Sequence, residues 1–231
     1  MQPQKKQIIT EPFEVRSRLE ELGVTEEILR LAVEEAIAGF NSCTDNHPRT
    51  HAGSRFWADG IRSLRDSLTV LRFERVESGK EWHAEEDNNL PLVVNKAGTV
   101  AITVATGDKS TGKEHETPCT NSAKGPRTKD AVNVNEAQYL LIPDLHLTPE
   151  DLEKFEKMGR MTFLLLMHRD AQSLEVRCEL SRPRTMDKCN RVNGWIERII
   201  LKSLPFTGER VDILPEVPQT PEIDVKVKKR A

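Results

Sequence analysis

The stretch Gly107-Asp108-Lys109-Ser110-Thr111-Gly112-Lys113 has the Gly-x-x-x-x-Gly-Lys spacing with which a phosphate-binding loop folds backbone amides around an anion and brings a lysine up to it. It follows an apolar run, as such a loop should. Its second half departs from the pattern. Glu114 stands where a Ser or Thr would hold Mg²⁺, and Pro118 with the turn formers beyond it interrupts the helix whose N-terminus would face the phosphate. A second set of chemistry-bearing residues is Cys43, His47 and His51, four apart, with His115 and Cys119 repeating that spacing. All five could ligate a soft or borderline metal. Pro48 breaks the helix that would align the first three, and there is no Cys-x-x-Cys pair, so no structural zinc is expected. A third set is Asp144 and Glu175-Val176-Arg177, an acidic residue after an apolar segment followed by a strand-borne Glu-x-cation, as in nucleases that hold Mg²⁺ on carboxylates. Arg replaces the usual Lys and a helix intervenes; Glu175 and Glu179 read more simply as the wet face of a hairpin. No Gly-x-Ser-x-Gly elbow occurs, and His168, inside an apolar run, reads as a core histidine.

Residues 107–130 hold these candidates without any apolar period of their own. Loops of this length inside a domain are usually functional or disordered. The cations Lys109, Lys113, Lys124, Arg127 and Lys129 are largely offset by Asp108, Glu114, Glu116 and Asp130, and no aromatic residue is interleaved as a stacking platform. The loop's cations allow a local nucleic-acid contact, but a protein partner fits the mixed charge better. Asp108, Lys109, Lys113, Lys124 and Arg127 are therefore the candidate partner-binding residues.

The elements that must position this loop follow from periodicity. Val15, Leu19 and Leu22 predict a short helix stopped by Gly23. Thr25 as N-cap, Glu26 and Glu27 in the first turn, and the stripe Leu29, Val33, Ala36, Ile37, Phe40 predict a second helix over 26–40. Trp57, Ile61, Leu64, Leu68 and Leu71 predict a third over 55–71, with Arg55, Asp59, Arg62 and Asp66 on its solvated face. The pattern then changes to period two: Leu92 to Val94 and Thr99 to Thr106 flank a turn at Gly98. Beyond the loop, a short segment at 131–137, an apolar strand at 138–142 and a short helix from Pro149 to about Lys157 are expected. Strands follow at 161–169, 174–181 and 195–201, with Glu175, Arg177 and Glu179 of the second pointing outward.

These elements predict an α+β fold with N-terminal helices packed on a mainly antiparallel sheet. At 231 residues one core can organise most of the chain, so the division expected is a flexible 1–10, one domain over 11–204, and a Pro-rich flexible tail with a basic tip over 205–231. A net charge of -3 provides no global field for nucleic acid or an anionic membrane. The longest aliphatic run, Phe163 to Met167, is far short of the roughly 20 residues that span a bilayer. Met1 to Thr10 lacks the apolar segment of a secretory signal, and four scattered cysteines fit reduced thiols in a cytoplasm. The function expected is that of a non-catalytic intracellular accessory or adaptor protein, using no cofactor, that binds a macromolecular partner through the loop. The alternative is a phosphate-directed enzyme, either a nucleotide hydrolase or a metal-dependent nuclease.

Overall fold

The computed structural model describes residues 7–69, 82–141 and 159–206. Pro12 opens α1 (Pro12–Leu22), and Gly23, left-handed at φ 81°, ends it with its amide bonded to Glu20. Thr25 caps α2 (Glu26–Asn41) by accepting the Ile28 amide at 3.3 Å. The most amphipathic of the three N-terminal segments becomes α3 (His51–Thr69). The strands are β1 (Gln7–Ile9), β2 (Trp82–Asp87), β3 (Leu90–Asn95), β4 (Val100–Thr106), β5 (Met161–Asp170), β6 (Glu175–Met186), β7 (Val192–Ile200) and β8 (Leu204–Pro205). They form one sheet in the order β1-β7-β6-β5-β4-β3-β2, with β8 paired to β6.

The fold class is α+β, but the sheet is mixed, which corrects the mainly antiparallel expectation. β1 runs parallel to β7, and β4 runs parallel to β5 from Val100↔Met161 to Thr106↔Met167. The second pairing exists because the chain between β4 and β5 contains a helix, α4 (Pro126–Leu141), long enough to carry it back to the other end of the sheet. The expectation of a loop over 107–130, a short segment over 131–137 and a strand over 138–142 is corrected: Pro126 to Leu141 are this one helix, and Ile142 lies outside the described residues. The stretch expected as a flexible N-terminus includes β1. The tail expected from Pro205 likewise begins inside the fold, with Pro205 in β8 and Phe206 buried; Asp144, the helix expected from Pro149 and residues from Thr207 lie outside the described residues.

Strand alternation sends side chains to two different layers. Ile102, Val104, Phe163, Leu165, Met167, Cys178, Leu180 and Ile199 join Leu19, Leu29, Val33, Phe56 and Leu64 of α1–α3 in the main core. The opposite face carries a smaller apolar group, Ala105, Leu164, Leu166, Val192 and Trp195, against Val132 of α4. Polar side chains fill the rest of that second interface. Asn135 of α4 donates to the carbonyls of Thr162 (2.8 Å) and Pro183 (3.1 Å) and accepts the Thr162 amide (3.1 Å), so its carboxamide bridges β5 and β6 beyond Leu164↔Ser181, where their direct pairing stops. Arg182 donates to Asn135 and Gln138; burial lowers its guanidinium to about 10, with Arg18 adding to the effect and Glu197 opposing it. Among the described residues no helix is long and apolar enough to cross a membrane.

Candidate functional site

The polar loop after β4 is clasped onto the second face of the sheet. Arg177 of β6 donates to the carbonyls of Lys109 (2.9 Å) and Thr111 (3.0 Å). Arg198 of β7 donates to those of Lys113 (3.0 Å) and Glu116 (2.6 Å), and the Trp195 indole to that of Pro118 (2.8 Å). Arg198 is itself held by Glu179, both side chains being fully buried. Ser181 donates to the same carboxylate. The expectation that Glu175, Arg177 and Glu179 form a wet face is thus overturned for Arg177 and Glu179. Alternation does point them away from the main core, but the loop covers them and makes its own peptide groups their partners.

This clasp decides what the glycine-rich turn holds. The Gly112 amide, which a phosphate-binding loop would offer to its anion, donates to Glu179 Oε2 at 2.9 Å. Lys113 Nζ pairs with Glu116 at 3.0 Å, and the next helix starts only at Pro126. The other sequence motifs assemble no site either, although the His47 and His51 rings stack with centroids 4.8 Å apart. Cys43 is buried and donates to the Gly39 carbonyl, and His47 Nδ1 accepts the Thr44 amide. Among the described residues no three of His, Cys, Asp and Glu are placed to hold a metal ion. Glu175 and Asp170 both pair with Arg177.

A cleft of about 730 Å³ opens instead where β3 leaves β4, within the range of ligand sites. These strands pair only at Val93↔Ile102 and Val94↔Ala101, so β4 from Thr103 to Thr106 has no register partner in β3. Two of its carbonyls are taken from elsewhere: Val104 accepts the Trp57 indole N–H at 3.0 Å, and Thr106 accepts the Asn121 amide at 3.0 Å. The cleft therefore runs along the C-terminal halves of the parallel pair β4 and β5. Its walls are Phe40, Phe56 and Trp57 from the helical layer, Leu90 and Pro91 from β3, Asn121 to Gly125 from the end of the loop, Thr128 at the head of α4, and His168 and Arg169 from β5.

Several of these side chains are held in place. Trp57, 38% exposed, is fixed by its bond to β4. His168, expected as a core histidine, is half-buried beside the cleft. Its Nδ1 lies 3.0 Å from the Gly107 carbonyl, which can only accept, so Nδ1 carries a proton and Nε2 of the neutral ring is the acceptor. Arg169 stacks its guanidinium 3.8 Å over the Phe40 ring. Lys124 Nζ donates to Ser122 Oγ at 3.3 Å, and burial lowers the lysine below its ordinary range. Thr103, 2% exposed, has a hydroxyl with no hydrogen-bond partner and lines the same cleft.

Of the five residues expected to bind a partner, the cleft takes in Lys124. Asp108 accepts the Ser110 amide, Arg127 pairs with Asp87 and Asp130, Lys109 is exposed, and Lys113 is paired as above. The cleft's other residues come from segments far apart in sequence, and no spacing motif marks them. The periodicity that places Trp57 on the apolar stripe of α3 with Ile61 and Leu64 is corrected here: Phe56 is the buried member of the pair and Trp57, about 100° round the helix, is 38% exposed. Compared with protein families, curated proteins and solved structures, the chain matches none.

Proposed function

We propose that the protein is a non-catalytic binding protein whose ligand engages the cleft and the rim formed by the end of the polar loop. The observation that carries this reading is the cleft itself: a concave site at the ends of β4 and β5 with a rigidly held, partly exposed tryptophan on one wall and a lysine on the other. Large amphipathic rings fixed at low entropy cost are the usual anchors of binding sites. The described lining contains no Asp or Glu, so it has neither the carboxylate pair of acid–base chemistry nor the hard ligands that bind Mg²⁺. The phosphate-directed alternative loses support at its own turn, where Glu179 takes the amide that phosphate would need.

A ligand-observed NMR screen of small molecules against the parent chain and Gly53→Phe tests the proposal. Gly53 lines the cleft from α3, and a Cβ placed there meets nothing within 4 Å, so the substitution adds a phenyl ring to the cleft wall with no clash at its Cβ. Binders of the parent that are lost in the variant, at unchanged melting temperature, are the expected result. Turnover of nucleotides or DNA with Mg²⁺, or binders indifferent to the substitution, would overturn it.

A further inference from the structure

The cleft's charge is one-sided in a way the whole chain is not. The chain has 37 acidic and 34 basic residues, yet the described lining contains Lys124 and Arg169 and no carboxylate. A cavity walled by low-dielectric side chains concentrates such a field. The head of α4 adds to it, because the first turn of a helix presents amides without intrahelical partners, and both Gly125 and Thr128 line the cleft. An independent observation comes from Thr103. The residue lines the cleft, and its hydroxyl, almost wholly buried, lacks any hydrogen-bond partner; a buried hydroxyl left unpaired is costly unless a ligand or water completes it. Lys124, half-buried with Nζ donating to Ser122 Oγ, lines the same cleft, and an anion beside it would offset the burial that disfavours its charge.

The opposite wall selects a different property. Trp57, Phe40, Phe56, Leu90 and Pro91 offer flat apolar surface, and the indole is fixed by its bond to Val104. Resting on the reading of this cleft as the binding site, we infer that its ligand is a small organic anion, a carboxylate or a phosphate monoester with a flat unsaturated body, its charged end beside Lys124 and the head of α4 and its body against Trp57. Arg169 already stacks on Phe40 and Phe206, which holds its positive charge at the same opening.

Three probes with one body isolate the head group: 1-naphthyl phosphate, 1-naphthoate and neutral 1-naphthol. Affinity is measured by calorimetry, and the site is read from the Trp57 indole N–H resonance, assigned by its loss in Trp57→Phe. At least one of the two anions should bind saturably one to one, shift that resonance, and bind about tenfold or more tighter than naphthol, as expected for a hydrogen bond to a charged group. Comparing phosphate with carboxylate tells the two sources of charge apart. Lys124→Ala should erase the preference for the anion, whereas Lys188→Ala, an equal charge loss on the exposed β6–β7 turn, should not. Naphthol binding as tightly as the anions, with the Trp57 shift, would overturn the inference and leave the binding cleft standing. An anion preference that survives Lys124→Ala, or no Trp57 shift with any probe, would also overturn it.

Discussion

At the scale of single residues, the decisive group is the Glu179 carboxylate. It accepts the Gly112 amide, the Ser181 hydroxyl and two nitrogens of Arg198, and Arg198 in turn caps two loop carbonyls. Removing one partner of a buried ion pair leaves an uncompensated charge and typically costs about 3–5 kcal/mol, whereas replacing both with apolar groups is often neutral. Glu179→Ala should therefore destabilise by that amount in urea unfolding, and Glu179→Leu with Arg198→Met should cost clearly less than the single change. Equal losses would mean that the loop carbonyls, not the ion pair, set the stability. Asp170 gives a pH signature on the other side of the loop. The Arg177 side chain, followed by Ser173 and the Gln172 amide, holds this carboxyl well below its ordinary value. A group depressed in the folded state contributes stability that is present above its unfolded pKa, near 4, and is lost as pH falls through the lower folded value. Asp170→Asn should accordingly flatten the acid limb of the stability curve below about pH 4. An unchanged limb would show that other carboxylates control acid unfolding.

At the scale of elements, the buried polar contacts of α4 make a comparable prediction. Asn135 satisfies backbone groups of both β5 and β6 where their own ladder has opened. Asn135→Leu has nearly the right volume but leaves those groups buried and unpaired, at about 1–3 kcal/mol for each. A loss of more than about 2 kcal/mol in urea unfolding is expected; a neutral result would mean that the strands close on each other when the amide is gone. The same residue shows why part of the fold was hidden in the sequence. Helices α1 to α3 and the β3–β4 hairpin were legible because their buried positions are mostly apolar, with Ser63 and Ser67 of α3 the exceptions, and because a capping Thr and glycines mark boundaries. The buried stripe of α4 is Thr128, Val132, Asn135 and Gln138, which has helical spacing but almost no hydropathy contrast. Its 3.6-residue period is carried by hydrogen bonding, which a search for apolar periodicity passes over. The alternation in β6 was legible, yet which face met water was not, because the loop that covers Arg177 and Glu179 is itself polar. The cleft was the least legible feature. It arises from a parting of β3 and β4 and draws on six segments, with Lys124 its one residue among those expected to bind a partner.

At the scale of the molecule, the two faces of the sheet are held by different physics. The face under α1 to α3 rests on a continuous apolar cluster, whereas the face under α4 and the loop has a small apolar group and otherwise a lattice of guanidinium, carboxylate and carboxamide contacts. Apolar burial is non-directional and grows with area, so it tolerates small displacements; hydrogen bonds are lost when their geometry fails. The polar face should therefore open as a unit before the rest. The separation is measurable by native-state hydrogen exchange at low denaturant. The amides of α4 and of the 107–120 loop should exchange through a sub-global opening of lower free energy than those of β5 and β6, where Leu165, Leu166 and Leu180 are fully buried. Since the cleft is walled by α3 and β3 on one side and by the loop end and head of α4 on the other, the opening would dismantle half of it. A ligand bound there at a hundred times its dissociation constant should raise the free energy of that opening by about 2.7 kcal/mol and leave smaller fluctuations untouched. Exchange of α4 and β5 at one common free energy, with and without ligand, would show instead that the ion-pair lattice couples the polar face fully to the core.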